Sequence, residues 1–516
     1  MIFHKFRPLP ALAVIAALAG SGALQSEAMA LEGQSGEAAA TPRPADAAIP
    51  ALMYGELAFF PCSLSAPMAR ESLEAQCTDF EVPEDRKQAD GRRISLHIAW
   101  LEATERGDVA LDPVFFLAGG PGQSAVESYP PLNPAFREVR KHRHVILIDQ
   151  RGTGKSNLLS CAMDEDDDAD SSPEAMRAAA ERCAKALAEK ADLRHYTTTD
   201  AVADLDAVRK SIGAARINLV GVSYGTRVAQ QYAIRHPEST RSIVLDSVVP
   251  NTLGLGNIFA RNLDDALALQ FAVCTQDPVC KDKLGDPRAE LDVLLETLRA
   301  EAPTVQYRDA TSGEFKEGVL RAETVAGLVR MYAYMPLASA LLPKLIHEAN
   351  AGRYDGLMAL AKMMTDEMQD AMAMGMQLSV ICSEDRQSMV ARAEDADTVL
   401  GNLMPGGMAA MCEVWPKGEM PADFHQPLAS DVPALVLEGE FDPVTPPRYG
   451  EEVVKTLPNA RLFVLRGQGH AVLSAGCMPK LFAQFIEKND AKALDGECLD
   501  KLGYAAPFTS FNGAEP

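Results

Sequence analysis

The chain has 516 residues, 47% of them hydrophobic and 23% charged, which is enough for one large folded domain with an insertion or for two domains. Its formal net charge is −23, from 49 lysine and arginine residues against 72 aspartate and glutamate residues. Nucleic acid and anionic membrane surfaces would repel such a chain, so we expect neither as a partner.

The first 30 residues have the three-part pattern of a secretory signal peptide. Positive charges near the start precede an apolar run at 11–24, and the sequence Ala-Met-Ala at 28–30 forms a small-residue cleavage site. The run is too short to span a bilayer, and no cysteine precedes Cys62 that could carry a lipid. We therefore predict an exported protein, periplasmic or extracellular, without a membrane anchor. Residues 31–53 are small and rich in proline and alanine, which indicates a disordered leader.

Ten cysteines follow the signal peptide, and an even number in an exported chain favours disulfide bonds. There is no C-x-x-C pair and no pair of histidines at ligand spacing, so we expect no metal site. The spacings suit bonds between neighbours in sequence order. The predicted pairs are Cys62–Cys77, Cys161–Cys183, Cys274–Cys280, Cys382–Cys412 and Cys477–Cys498.

From residue 54 onward, short apolar runs alternate with helical patterns. This alternation predicts a mostly parallel α/β sheet with helical crossovers. The predicted strands are 55–60, 94–101, 114–117, 145–148, 217–220, 243–245, 434–437 and 461–465. The helical patterns that accompany them include 134–139, 201–212 and 479–488.

Between about residues 251 and 430 the strand pattern gives way to helical, methionine-rich sequence. A sheet that is interrupted by a helical block and then completed is typical of an inserted cap domain. We therefore predict a doubly wound α/β core over 54–250 and 431–505, with a helical cap over 251–430. The methionines between 358 and 376 could line an adaptable apolar pocket, although helix packing is the more common reason for such a stripe.

The stretch 217–237 combines a strand, a tight turn and a helix around the sequence Gly-Val-Ser-Tyr-Gly at 221–225. Strand, G-x-S-x-G and helix are the context of a nucleophile elbow, in which a strained serine stands clear of the sheet. Only glycine fits two residues before and two after the serine, because a Cβ there would meet neighbouring backbone. We therefore predict that Ser223 is a nucleophile, with a chance strand-to-helix turn as the alternative.

A serine hydroxyl needs a base to take its proton and an acid to orient that base. In doubly wound hydrolases the chain order is serine, acid, histidine, each on a loop after a strand. His470 and Asp442 each follow a predicted strand, so we expect both at the sheet edge that carries Ser223. Asp442 is the predicted acid; Asp246 is its main rival, and Glu440 a weaker one.

The tetrahedral intermediate also needs hydrogen-bond donors for its oxyanion. One predicted donor is the backbone N–H of Tyr224, which directly follows the nucleophile. The second should come from the sequence Ala-Gly-Gly-Pro at 118–121, where glycine lets the backbone approach the substrate carbonyl. We favour Gly120, with Gly119 as the alternative.

Five motifs occur in a fixed order: AGGPG at 118–122, DQRGTGKS at 149–156, GVSYG at 221–225, EFDPVTPP at 440–447 and GQGH at 467–470. Together they resemble the prolyl aminopeptidase and tripeptidyl aminopeptidase branch of the α/β-hydrolases, over about residues 54 to 498. The resemblance implies an α/β-hydrolase fold with an inserted cap. It also implies a Ser-His-Asp exopeptidase that acts on free peptide N-termini without a metal or cofactor.

Such a peptidase must hold the ammonium group of its substrate, and a carboxylate can do so through a charge-assisted hydrogen bond. The sequence Ser-Val-Ile-Cys-Ser-Glu-Asp at 379–385 is similar to the cap exit of exported members of the tripeptidyl branch. The resemblance therefore makes Glu384 and Asp385 the candidates for substrate binding. A surface or cap-hinge pair is the alternative.

The resulting prediction is an exported serine hydrolase that releases residues or tripeptides from peptide N-termini through an acyl-enzyme. Two alternatives stay open. The first is an esterase on the same fold that takes a small ester substrate in a methionine-lined pocket. The second is a hydrolase-fold binding protein without catalysis; such proteins usually lack a member of the triad, and this sequence offers all three.

Overall fold

The computed structural model describes residues 51–514, apart from 67–71, 162–171 and positions 89, 106, 108 and 257. The predicted signal peptide and most of the predicted leader lie outside the described residues. The first strand begins at residue 52, two residues before the predicted start of the core at 54.

Twelve β-strands are found in the described part of the chain. They are β1 (Leu52–Tyr54), β2 (Leu57–Leu64), β3 (Leu73–Pro83), β4 (Arg93–Leu101), β5 (Val114–Leu117), β6 (Val145–Ile148), β7 (Ile217–Val222), β8 (Thr240–Asp246), β9 (Thr304–Arg308), β10 (Phe315–Val319), β11 (Ala434–Gly439) and β12 (Ala460–Leu465). Ten of them form one sheet in the order β1-β2-β3-β4-β6-β5-β7-β8-β11-β12. The strands β1 to β4 are antiparallel and β4 pairs antiparallel with β6. From β6 to β12 the sheet is parallel.

Fifteen α-helices accompany these strands within the same residues. They are α1 (Ala125–Ser128), α2 (Asn133–Phe136), α3 (Pro173–Leu187), α4 (Thr198–Ser211), α5 (Tyr224–Arg235), α6 (Phe259–Gln276), α7 (Pro278–Leu284), α8 (Pro287–Ala300), α9 (Ala322–Ala333), α10 (Pro336–Asn350), α11 (Asp355–Ala371), α12 (Met374–Glu384), α13 (Leu403–Val414), α14 (Arg448–Val453) and α15 (Met478–Lys488). None of these helices is both long enough and apolar enough to cross a membrane.

The parallel strands are buried on both faces, as β5 illustrates. Its four residues are all buried. Phe115 and Leu117 pack into the hydrophobic core on one face, while Val114 and Phe116 pack into the core on the other. A strand covered on both faces needs an almost continuous apolar sequence, which is why this segment was recognisable. Fully burying each such Phe or Leu contributes about 1.5–3 kcal/mol, so the sheet is a rigid platform for the loops at its edge.

A helical block lies between β8 and β11, which are neighbours in the sheet. It contains α6 to α13 and has a hydrophobic core of its own, built from residues between Leu263 and Leu400. The block also contains the hairpin β9–β10, which we did not predict. The alternation of exposed and buried residues in β9 covers only five positions, and β10 has no buried residue, so the strand pattern is short in β9 and missing in β10. The division at 250 and 430 stays a prediction.

The predicted α/β class and its mostly parallel sheet are confirmed, with differences at the antiparallel side. The predicted strand 55–60 is wrong in its bounds, because a turn at Gly55, with φ +61°, separates β1 from β2. We did not predict β3, whose charged and polar residues interrupt its apolar alternation. Both errors fall on the antiparallel side of the sheet, where the strands carry exposed positions and the sequence is less apolar.

All five predicted disulfide bonds are confirmed: Cys62–Cys77, Cys161–Cys183, Cys274–Cys280, Cys382–Cys412 and Cys477–Cys498. No cysteine among the described residues is free. Each bond closes a local loop, for example between β2 and β3 or between α12 and α13. Bonds of this kind typically stabilise a fold by about 2–4 kcal/mol, mainly by restricting the unfolded chain.

Candidate active site

Ser223 lies at the turn between β7 and α5, with φ +54° and ψ −124°. This is a conformation that non-glycine residues rarely adopt. The two glycines of the motif make the turn possible: a Cβ on Gly221 would overlap the backbone of Gly225, and a Cβ on Gly225 would overlap the carbonyl of Leu117. The structure therefore has the steric features expected of a nucleophile elbow.

Asp442 and His470 form a hydrogen-bonded pair. The Nδ1 atom of His470 lies 2.8 Å from Oδ2 of Asp442. The carboxylate is itself held by the N–H groups of Val444 and Thr445, each 2.8 Å from Oδ1, and by the Thr445 hydroxyl at 2.9 Å from Oδ2. Because an ionised carboxylate only accepts hydrogen bonds, Nδ1 carries the proton and Nε2 keeps its lone pair.

The charges of this pair stabilise each other. Burial raises the pKa of Asp442, but the positive charge of His470 and the hydrogen bonds to the carboxylate outweigh it, so the pKa lies below its usual value. Burial lowers the pKa of His470, but the Asp442 carboxylate more than reverses this, and the pKa lies above 6.5. The pair is therefore suited to hold a proton on the imidazole during a reaction.

The raised pKa of His470 predicts the pH dependence of activity. Below that pKa the imidazole is protonated and cannot accept a proton from Ser223, whereas above it the imidazole is free to do so. We expect kcat/KM to rise with pH through a midpoint above 6.5. The check is a profile of kcat/KM between about pH 5 and pH 9, the range in which histidine titrates. A midpoint below that of free histidine would contradict the prediction.

The three side chains lie on loops that follow parallel strands of one part of the sheet. Ser223 directly follows β7, Asp442 follows β11 and His470 follows β12. β7, β8, β11 and β12 are consecutive parallel strands, so their carboxyl ends meet at the same edge of the sheet. This is the edge at which ligands bind in open α/β sheets.

Asp246, the rival acid, connects the serine turn to the histidine loop. Its backbone carbonyl accepts the N–H of Ser223 at 2.9 Å. Its carboxylate accepts the N–H of Val472 at 2.8 Å and that of Leu473 at 2.9 Å, just after His470. Burial raises the pKa of Asp246 to about 6, against the effect of these hydrogen bonds. Asp246 therefore positions the loop that carries His470, while Asp442 contacts the imidazole.

Glu440, the weaker rival, also links loops. Its Oε2 accepts the N–H of Gly467 at 2.7 Å, and its Oε1 accepts the hydroxyl of Tyr504 at 3.3 Å. Gly467 lies on the loop that carries His470, so Glu440 ties the acid loop to the histidine loop. Of the three candidate acids, Asp442 is the one that the structure pairs with the imidazole.

The loop at 118–122 lies directly beside the nucleophile. A Cβ on Gly119 would lie 3.1 Å from Cβ of Ser223, and Gly120 has φ +108°. The N–H of Tyr224 opens α5, where a helix offers no internal acceptor. Among the described residues, no backbone carbonyl accepts the N–H of Gly119, Gly120 or Tyr224. The assignment of Tyr224 with Gly120, or with Gly119, as the donors to an oxyanion stays a prediction.

The helical block between β8 and β11 supplies two contacts that sequence reasoning missed. The ring of Tyr334 packs edge-on against His470 with 5.0 Å between ring centroids, and its carbonyl accepts the His470 N–H at 2.9 Å. Cε of Met372 lies 3.3 Å from the position of a Cβ on Gly120, and the N–H of Ala373 donates to the carbonyl of Gly122 at 3.0 Å. Neither Tyr334 nor Ala373 belongs to a motif, and Met372 was one member of a longer methionine stripe.

Glu384 and Asp385 are wholly buried and already have partners. The N–H and hydroxyl of Thr198 donate to Glu384 at 2.7 and 2.9 Å, and Arg227 donates to Asp385 at 2.7 Å. Burial raises the pKa of Glu384 to about 8, although the Arg227 charge opposes this. The second oxygen of Asp385, Oδ1, is buried without a hydrogen-bond partner among the described residues. The predicted binding role stays a prediction that this arrangement does not favour.

The same network extends to the residue after the nucleophile. The hydroxyl of Thr198 lies 2.6 Å from the hydroxyl of Tyr224, and Gln150 donates to that Tyr224 hydroxyl at 3.1 Å. Glu384 therefore contacts Tyr224 through Thr198 and helps to fix the start of α5. Within the described residues there is no group of three or more His, Cys, Asp or Glu side chains placed to hold a metal ion.

A strained serine, a histidine paired with a buried carboxylate and a set of free N–H donors at one sheet edge define an α/β-hydrolase site suited to acyl transfer. A family model described as alpha/beta hydrolase fold matches residues 112–475. The chain belongs to this family, and the predicted fold class is confirmed.

Named relatives align along most of the chain. Serine protease Hip1 of Mycobacterium tuberculosis is 25% identical over 461 residues, which cover 81% of this chain and 85% of that protein. Tripeptidyl aminopeptidase of Streptomyces lividans is 26% identical over 429 residues, which cover 76% and 77%. A solved structure of proline iminopeptidase from Mycobacterium smegmatis superposes with a TM-score of 0.41 at 17% identity, covering 81% of this chain and 100% of that one. The resemblance predicted from the motifs is confirmed by the named relatives.

Proposed function

We propose that this protein is an exported serine exopeptidase that releases residues or tripeptides from free peptide N-termini. The observation that carries the proposal is the 2.8 Å hydrogen bond between His470 and Asp442, on loops tied through Asp246 to the strained turn of Ser223. The names of the relatives, a serine protease and a tripeptidyl aminopeptidase, support a peptide as the substrate.

The proposed mechanism follows from these positions. The hydroxyl of Ser223 attacks the peptide carbonyl while Nε2 of His470 takes its proton, and Asp442 holds the resulting imidazolium. The N–H groups of Tyr224 and of Gly120 or Gly119 stabilise the oxyanion. The C–N bond then breaks, His470 gives its proton to the leaving amine, and an acyl-enzyme remains. Water, activated by the same histidine, hydrolyses the acyl-enzyme and restores the serine.

The disulfide bonds support the exported part of the proposal. Five bonds use all ten cysteines of the sequence. Such bonds persist in oxidising compartments and are rare in the reducing cytosol. The predicted signal peptide at 1–30 provides the route of export.

A free amine on the substrate is expected to matter for turnover. A hydrogen bond to a charged group contributes about 1.5–3 kcal/mol, so N-acetylation of an aminoacyl- or tripeptidyl-arylamide should lower kcat/KM by about 10- to 100-fold. The measurement compares free and acetylated forms of the same arylamides, with a set of p-nitrophenyl esters alongside.

The esters test the alternative that Met372, beside the oxyanion loop, lines a pocket for an acyl chain. Equal turnover of free and acetylated peptides would contradict an exopeptidase. Turnover of esters together with no turnover of any arylamide would replace the peptidase with an esterase. The Ser223→Ala variant, measured on every substrate, shows which turnover belongs to this site.

A further inference from the structure

Arg330 is a partly buried cation close to His470. It lies in the last turn of α9, with its guanidinium carbon 5.1 Å from the ring centroid of Phe259 and 5.7 Å from that of Tyr334. Its Nη2 donates to the hydroxyl of Tyr334 at 3.1 Å. The ring of Tyr334 in turn packs against the imidazole of His470. Arg330 is thus separated from the imidazole by a single aromatic ring.

No carboxylate balances this guanidinium. Within the described residues, no Asp or Glu oxygen lies within 4.0 Å of Arg330, and its Nη1 contacts the sulfur of Met331 at 4.0 Å. The wholly buried Arg227, in contrast, forms an ion pair with Asp385. A guanidinium has five N–H donors, and the tyrosine hydroxyl uses one of them.

The position of Arg330 suggests that it acts on the leaving group of the substrate. In acyl transfer the histidine gives its proton to the leaving amine, so the leaving group must lie within hydrogen-bond distance of the imidazole at that step. Tyr334 and Arg330 pack on that imidazole. Both side chains therefore lie next to the residue that protonates the leaving group.

We propose that Arg330 binds a carboxylate on the leaving part of the substrate, and this rests on the proposed function of the site. A planar guanidinium matches a carboxylate with two parallel hydrogen bonds, which neither a phenol nor a thioether can provide. The carboxylate is either the C-terminus of a short peptide or an acidic side chain next to the cleaved bond. The site thereby selects short peptides whose leaving residue is anionic.

The test compares peptides that share one acyl part and differ in the leaving residue: alanine with a free carboxylate, alaninamide, and aspartic acid amide. We expect kcat/KM for the free acid to exceed that for alaninamide by about 10-fold or more, since an ionic hydrogen bond contributes at least about 1.4 kcal/mol. The aspartic acid amide shows whether a side-chain carboxylate serves equally well. In Arg330→Gln the acid-to-amide ratio should fall towards one, and in Arg330→Lys it should be intermediate.

Arg321→Gln is the matched control, because it removes the same charge from the exposed N-terminal end of the same helix. It should keep the wild-type ratio. A wild-type ratio near one for both carboxylates, or an unchanged ratio in Arg330→Gln, would overturn the proposal and leave Arg330 with a packing role on Phe259 and Tyr334. Thermal unfolding of each variant shows whether the fold is kept.

A binding measurement separates this proposal from the proposed function. In Ser223→Ala, calorimetry should give the peptide acid an affinity about 10-fold higher than its amide, and Arg330→Gln in the same background should remove the difference. Hydrolysis of arylamides without any preference for the acid refutes only the carboxylate site. Preference in binding without hydrolysis of any peptide refutes only the peptidase. Equal affinities of the acid and the amide in Ser223→Ala would overturn the role of Arg330 whatever the enzyme hydrolyses.

Discussion

Ser223→Ala is expected to lower kcat for peptide arylamides by about 10⁴-fold or more, because the acyl-enzyme cannot form without the hydroxyl. The substitution keeps the Cβ and removes one oxygen, and the N–H of residue 223 still donates to the carbonyl of Asp246. The fold should therefore be unchanged. The measurements are kcat, labelling by a fluorophosphonate probe, and thermal unfolding.

Ser312→Ala provides the control for this variant. Ser312 lies on the exposed turn of the hairpin β9–β10, far along the chain from the site. It should retain wild-type turnover and labelling. Wild-type turnover in Ser223→Ala, with the protein confirmed by mass, would remove Ser223 as the nucleophile and with it the proposed mechanism.

Asp442→Asn is expected to lower kcat by about 10⁴-fold, because an amide at this position favours the wrong tautomer of His470. Asp246→Asn should have a smaller effect, about 10- to 100-fold. A carboxamide oxygen can still accept one of the two N–H groups, of Val472 and Leu473, that the carboxylate accepts now. The measurement is kcat/KM for both variants on one arylamide, with thermal unfolding alongside.

The pH profile adds a second comparison of the two aspartates. Both carboxylates raise the pKa of His470, so the acid limb of kcat/KM should move to lower pH in each variant. A larger loss of kcat in Asp246→Asn than in Asp442→Asn would exchange the roles of orienting acid and positioning residue. If the acid limb of the kcat/KM profile stayed at the same pH in both variants, the limb would report the titration of a group other than His470.

The parts of the fold that could be predicted are those in which local sequence already decides the structure. Strands β5 and β6 were predicted with their observed bounds, because their residues are all buried and all apolar. The turn at 221–225 was predicted because its glycines are a steric requirement. β3 and the hairpin β9–β10 were not predicted, since polar and charged residues interrupt their apolar patterns and pairing with the adjacent strands decides their structure.

In the candidate site, too, some residues were predictable from sequence patterns and others are placed only by tertiary packing. Ser223, Asp442 and His470 follow strands, so the order of strands brings them together once the sheet is known. Tyr334 and Arg330 come from the end of a helix in the inserted block, and only the packing of that block places them beside the imidazole. Glu384 was suggested as a substrate ligand by its motif, and the structure shows it buried and hydrogen-bonded to Thr198, so its binding role stays a prediction.

The hydrogen bond from the His470 backbone to the carbonyl of Tyr334 has a consequence for how peptides enter. Because this bond joins the two residues, a displacement of Tyr334 would also move the loop that carries the catalytic base. The hydrogen bond from Ala373 to the carbonyl of Gly122 joins the inserted block to the glycine loop in the same way, so opening the block at either point would disturb the site.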